Sequence, residues 1–251
     1  MTLTLNTGWN RANAKRLALL AQDAYTKPPT LVCPEDGTAV IISEVDGVDA
    51  MDGEDRKAIV VAFEGTHNPR QFITDVQAWK HNIGKSSVHA GFYQTMASGL
   101  RQINETLNAI NGDKQKTIIV TGHSLGGALA QMCAFELQVL GFSIDSVYTF
   151  GSPRVANAVG VLDYGRLSER TWRVVNGADI VPWCPGWSYG YRHTRCEMYM
   201  PATGGVIGHP ALIFKSLGNA LEIWREWQRG GAAFLTDHFL DSYIARLDKI
   251  Q

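Results

Sequence analysis

The chain has 251 residues, with 23 Lys and Arg against 24 Asp and Glu and a formal net charge of −1. At 45% hydrophobic and 19% charged residues it is not a disordered chain, and without a basic excess it has no electrostatic case for nucleic acid. No apolar run approaches the roughly 18 residues that would span a bilayer, so the length points to one large α/β domain or two small ones.

Within Met1 to Leu20 the apolar stretch, continuing to Ala21, is too short and too late for a secretory leader. Either the protein stays inside the cell or its leader is not part of this chain, and a cytoplasmic location is favoured over a secreted one. Trp9 to Tyr25 reads as a helix with Leu17, Leu20, Ala21 and Ala24 on one face, stopped by Pro28-Pro29. Ala39 to Val45 and Lys57 to Phe63 are β-branched strands around an acidic turn, Asp46 to Asp55. In the next segment, 68–85, the residues Phe72, Val76, Trp79 and Ile83 recur at helical spacing and predict an amphipathic helix.

Ala90 to Ile110 reads as a long helix, Thr117 to Thr121 as a short buried strand, and Leu125 to Leu140 as a helix closed by Gly141. Ser146 to Phe150, Thr171 to Val175 and Arg195 to Met200 are further strands; Ala211 to Gln228 and Thr236 to Lys249 are helical. Strands alternating with helices predict a mostly parallel central sheet covered by helices on both faces. No repeat or linker divides it, so residues 1–251 are expected to form a single domain.

The four cysteines show no CxxC pairing, which argues against structural zinc, and no metal site is expected. Cys133 falls in the apolar helix and reads as a small core residue. Cys184 and Cys196 would pair in an oxidising compartment, leaving Cys133 as the one partner for Cys33.

The pattern G-x-S-x-G occurs twice, at Gly122 to Gly126 and at Gly186 to Gly190. A nucleophile elbow needs a strand before the serine, a helix after it, and small neighbours that let the two approach. Ser124 has Thr117 to Thr121 before it, a helix after it, and Gly122, Gly126, Gly127 and Ala128 around it. Ser188 follows Cys184-Pro185 and leads into no helix, so it reads as a turn serine. Asp179 follows a strand end directly, whereas Asp145 precedes a strand and Asp163 lies in a surface segment. Of the histidines beyond Asp179, His193 sits in a polar context, and His209, before a proline at a helix start, and His238 stand as the candidate bases.

The run Gly122-His123-Ser124-Leu125-Gly126-Gly127-Ala128-Leu129-Ala130 resembles the elbow of the class 3 lipases, the fungal triacylglycerol lipase-like family. Phe63-Glu64-Gly65-Thr66, Val88 to Phe92, Phe150 to Val155, Val174 to Pro182 and the late His238 with Tyr243 behind it resemble further segments of that family in order. Glu64 departs from it, standing where the family most often has Arg.

The resemblance implies an α/β-hydrolase fold with Ser124 as nucleophile, Asp179 as acid and His238 as base. It implies an oxyanion hole from Thr66 and Leu125, and a mobile lid at 68–85 carrying Phe72, Val76, Trp79 and Ile83. The implied activity is that of a serine carboxylester hydrolase working through an acyl-enzyme without cofactors, foremost a triacylglycerol lipase acting on lipid esters at a lipid–water interface. A short-chain esterase, phospholipase or acyltransferase on the same triad, or a lipase-like binding protein without catalysis, are the alternatives.

Overall fold

The structure is a computed structural model that describes residues 2–68, 71, 72, 80–83, 85–201, 204–209 and 236–249. In chain order its elements are β1 (Leu3–Leu5), α1 (Arg11–Thr26), β2 (Leu31–Val32), β3 (Ala39–Asp49), β4 (Asp55–Phe63), β5 (Lys80–Ile83), β6 (Ser86–His89) and α2 (Ala90–Ile110). Then come β7 (Thr117–His123), α3 (Leu125–Val139), β8 (Ile144–Phe150), β9 (Ala156–Asn157), α4 (Ala158–Asp163), β10 (Thr171–Asn176), β11 (Tyr191–Arg192), β12 (Glu197–Met200), β13 (Ile207–Gly208) and α5 (Leu240–Lys249).

The main sheet runs β1-β3-β4-β7-β8-β10-β12-β13, with β2 paired to β3. Pairing is parallel from β4 through β12, and antiparallel where β3 meets β4 and β13 meets β12. Side chains of a strand point alternately to its two faces, and β4 shows the consequence. Ile59, Val61 and Phe63 join the core beneath α2 and α3, while Ala58 and Val60 join the core beneath α1 and α5. The carboxyl ends of β4, β7, β8 and β10 therefore open together on one edge, where α/β sheets build their sites. A second, antiparallel sheet, β11-β9-β6-β5, is formed by segments just beyond those ends.

α1 begins where the Asn10 side chain accepts from the Asn13 N–H. It buries Ala14, Leu17, Ala18 and Ala21 on the sheet and against α5.

Several expectations need correction. The acidic turn is narrower than 46–55, because β3 and β4 pair out to Val48 and Asp55; Asp46 and Asp55 face water, and Asp49 is buried where it accepts from the Asn6 side-chain amide, so none of them ends the pairing. The N-terminus contributes β1, whose three residues are too few for a visible period. The last helix starts at Leu240 rather than Thr236. Asp145 lies inside β8, at the register shift between β7 and β8, and its carboxylate accepts from the Asn6 N–H at 2.6 Å. Ile83 ends a strand that pairs with Ser86–His89 and is no part of a helix. Its partner follows across residues 84 and 85, so a local hairpin overrides the helical spacing of the apolar residues. The helix expected at 211–228 lies outside the described residues.

Leu17 is fully buried on α1 between the sheet and α5. Leu17→Ala should lower unfolding free energy by about 2–5 kcal/mol, read from urea denaturation followed by circular dichroism.

Candidate active site

Ser124 joins β7 to α3 with φ 57° and ψ −124°, a backbone that L-residues rarely adopt. Its N–H donates to the Phe150 carbonyl at 2.9 Å and its carbonyl accepts from the Gly127 N–H at 3.0 Å, so both sides of the turn are held. Glycine is required where strand and helix cross: a Cβ on Gly122 would lie 2.2 Å from the Gly126 carbonyl oxygen. The turn is thus a consequence of close backbone packing, and it aims the Ser124 hydroxyl away from the strand.

Ser124 Oγ lies 2.9 Å from His238 Nε2, and His238 Nδ1 lies 2.9 and 3.0 Å from the two oxygens of Asp179. All three residues are buried. A carboxylate only accepts, so Nδ1 carries the proton and Nε2 is left to accept from the serine hydroxyl. Asp179 Oδ1 also accepts from the Val181 N–H at 2.9 Å, and Oδ2 from the Tyr243 hydroxyl at 2.5 Å. Tyr243 accepts in turn from the Asn176 N–H. Burial, and then the Asp179 charge, push the Tyr243 phenol well above its ordinary range, so it stays a donor. Gly151 closes this chamber with φ +60°; a Cβ there would lie 2.7 Å from Asp179 Oδ2.

The His238 loop is held from below. Its carbonyl lies 2.7 Å from His123 Nε2, and His123 Nδ1 lies 2.8 Å from the Tyr25 hydroxyl. Since a carbonyl only accepts, Nε2 carries the His123 proton and Nδ1 accepts from Tyr25. Burial, reinforced by His238, holds His123 well below the usual histidine range. Glu64 takes a role of its own: Oε2 accepts from the Ala39 N–H at 3.0 Å and Oε1 lies 2.6 Å from His67 Nε2.

Leu125 is the first residue of α3, so its N–H has no partner within the helix. Thr66, half-buried beyond β4, lines a cleft of about 250 Å³ with Tyr25, His67, His123, His238 and Phe239. Of the expected lid residues, Phe72 stacks on Phe92 of α2 at 6.1 Å. Val76 and Trp79 lie outside the described residues, and nothing is described of the Ile83 side chain beyond its strand.

The other candidates lie apart from this chain of hydrogen bonds. Ser188 is exposed in the short turn Trp187–Tyr189. His209 is exposed beyond β13. His193 is half-buried with Nε2 2.6 Å from the Pro182 carbonyl, which corrects its reading as a surface residue. All four cysteines are free thiols. Among the described residues no three His, Cys, Asp or Glu side chains converge to hold a metal ion, and no described helix is long and apolar enough to cross a membrane. The sequence reading missed Tyr25, Gly151 and the bond from Tyr243 to Asp179. Each depends on partners far away in the chain, and no local pattern announces them.

The family described as Lipase (class 3) matches residues 60–189. The chain is 33% identical over 180 residues to the secreted mono- and diacylglycerol lipase 1 of Fusarium solani, covering 67% of this chain and 54% of that protein. It is 31% identical over 159 residues to a lipase of Rhizomucor miehei, covering 59% and 43%. With the secreted mono- and diacylglycerol lipase A of Penicillium cyclopium it shares 28% over 163 residues, covering 63% and 53%. The chain spans about half the length of these curated relatives.

Among solved structures, the Rhizomucor miehei lipase–propeptide complex superposes with a TM-score of 0.65 at 21% identity, covering 78% of this chain and 70% of that one. A triacylglycerol lipase described as having a serine-protease triad superposes with a TM-score of 0.62 at 21% identity, covering 77% and 82%. These likenesses establish the α/β-hydrolase fold. The expectation of a cytoplasmic location is overturned by the relatives, since those of Fusarium solani and Penicillium cyclopium are described as secreted.

His123 yields a test of the buried network. Its folded pKa is depressed, so its contribution to stability is fully present above the ordinary histidine value near 6.5 and is lost as pH falls below it, where the unfolded chain takes up a proton first. Thermal melts from pH 7.5 to 5 should show stability falling more steeply in the parent protein than in His123→Gln. Parallel curves would mean that His123 is protonated as easily in the fold as outside it.

Proposed function

We propose that this chain, which belongs to the class 3 lipase family, is a serine carboxylester hydrolase acting on acylglycerols, with residues 1–251 working as one catalytic domain. The observation that carries this reading is the hydrogen-bond chain from Ser124 Oγ through His238 to Asp179, with the serine on a strained elbow.

Ser124 Oγ attacks the ester carbonyl while His238 Nε2 takes its proton; Asp179, held by Val181 and Tyr243, keeps Nδ1 protonated and stabilises the imidazolium that forms. The carbonyl oxygen becomes an oxyanion, for which the N–H groups of Leu125 and Thr66 are the donors, each worth on the order of 10²–10³ in rate. Collapse expels the alcohol, which receives the proton from His238 and leaves Ser124 acylated. Water, deprotonated by the same histidine, releases the acid and restores the serine. This acyl transfer requires neither metal nor organic cofactor.

Triacylglycerol is the first substrate class to examine. Partial glycerides are the second, because the matching proteins of Fusarium solani and Penicillium cyclopium are described as mono- and diacylglycerol lipases. A panel of mono-, di- and triacylglycerols beside p-nitrophenyl esters ranks these against a plain esterase. A protein that releases no p-nitrophenol from these esters, in a burst or in the steady state, is a lipase-like binder instead.

Ser124→Ala should lower turnover by something on the order of 10⁶, with the fold retained, whereas Ser188→Ala should be silent. His238→Ala should cost several powers of ten, and adding Asp179→Asn should make it little worse, because the residues act as a unit. Labelling by a fluorophosphonate that survives Ser124→Ala, or activity lost in His209→Ala but kept in His238→Ala, would sink the assignment.

A further inference from the structure

Glu64 ties the end of β4 back to the start of β3 twice. Its N–H donates to the Ala39 carbonyl at 2.9 Å, and its Oε2 accepts from the Ala39 N–H at 3.0 Å. The other carboxylate oxygen, Oε1, lies 2.6 Å from His67 Nε2. One side chain therefore fixes both ends of the segment Glu64-Gly65-Thr66-His67, and Thr66 lies between the two anchors. Arginine, which the class 3 lipases most often carry at this position, has donors only and could not accept from the Ala39 N–H.

The same segment is pressed against the nucleophile elbow. A Cβ on Gly65 would overlap the Tyr25 hydroxyl and the His123 carbonyl oxygen, and a Cβ on Gly126 would overlap the carbonyl oxygens of Phe63 and Glu64. His123 and Gly126 lie on either side of Ser124 in the chain, so the backbone of 63–65 touches both flanks of the elbow. Just beyond, Thr66 shares a cleft with His238, and its Oγ1 accepts from the Asn68 N–H at 3.3 Å. In backbone packed this closely, a shift of the segment changes where the Thr66 N–H points.

An exposed ion pair alone is worth little, and the His67 side chain is 73% exposed. The Glu64 side chain is only 13% exposed, and its bond to Ala39 already orders it, so the contact with His67 costs the carboxylate little further entropy. His67 in turn packs edge-on against the Tyr25 ring at 5.4 Å. Burial, and then the Glu64 charge, push the Tyr25 phenol above its ordinary range, so it stays a neutral donor to His123. Glu64 thus acts on the Thr66 segment directly and on the support of the His238 loop through Tyr25.

We propose that Glu64 is a positioning residue for ester hydrolysis: with Ala39 and His67 it clamps the segment that presents the Thr66 N–H to the substrate carbonyl oxygen. The role rests on the reading of the protein as a serine carboxylester hydrolase with Thr66 in its oxyanion hole. Its effect falls on the negative charge that develops in the transition state and leaves ground-state binding alone.

The experiment is steady-state kinetics on soluble p-nitrophenyl butyrate, beside inhibition by a trifluoromethyl ketone, whose adduct with the serine places an oxyanion where the reaction does. Glu64→Ala should lower kcat about 10- to 100-fold with KM within about twofold, since a misplaced donor forfeits part of what it is worth. Affinity for the ketone should fall by the same factor as kcat/KM. Glu64→Gln, which keeps an oxygen for the Ala39 N–H, should recover most of the activity, and Glu64→Arg should not. His67→Ala should show part of the loss, and the double variant with Glu64→Ala no more than Glu64→Ala alone, because both act on one segment.

A Glu64→Ala protein with the parent's kcat would overturn the role while leaving ester hydrolysis standing. A fall in kcat without an equal fall in ketone affinity would also overturn it, assigning Glu64 to general stability of the fold. A parent protein that hydrolyses no ester would overturn the functional reading, and the role with it.

Discussion

The turn at Ser124 is the constraint on which the rest of the site depends. A serine held at φ 57° stores strain of order 1–3 kcal/mol and persists only where the surroundings over-determine it. Those surroundings are the tight crossing of Gly122 against Gly126, the bond from the Ser124 N–H to Phe150, and a helix that begins immediately after the serine. The parallel pairing of β7 with β4 and β8 sets the ends of all three strands side by side. The loop after β4 that carries Thr66 and the bracing segment after β8 then flank the serine on either side.

The histidine and the acid are brought to that turn by different means. His238 arrives on the loop before α5, whose packing on α1 closes one face of the sheet, and Asp179 sits on the loop after β10. The two meet in a buried chamber where Tyr243, Val181 and Asn176 satisfy the acceptors and donors around the carboxylate. Burial makes each of these bonds matter more, because an unmet polar group there has no water to turn to. It also explains why His123 is neutral: two neighbouring imidazoles in a dry site cannot both carry charge at low cost, and His123 supports the His238 loop best as a neutral donor.

The sequence by itself determined the alternation of strands and helices, the bounds of α2, and the choice of Ser124 over Ser188. Each of these rests on local signals: hydrophobic period, a helix stop, and small residues on either side of a serine between strand and helix. Asp179 could be preferred because it follows a strand end, and His238 because, with Tyr243 five residues on, it resembles the late histidine of the class 3 lipases. Tertiary structure alone decided that Tyr243 donates to Asp179 and that Tyr25 and His123 hold up the His238 loop. Tyr243 lies 64 residues from Asp179 and Tyr25 lies 98 from His123. Local propensity has no access to partners that folding brings together from so far apart, so these contacts are written in the packing of the sheet and its two helical layers.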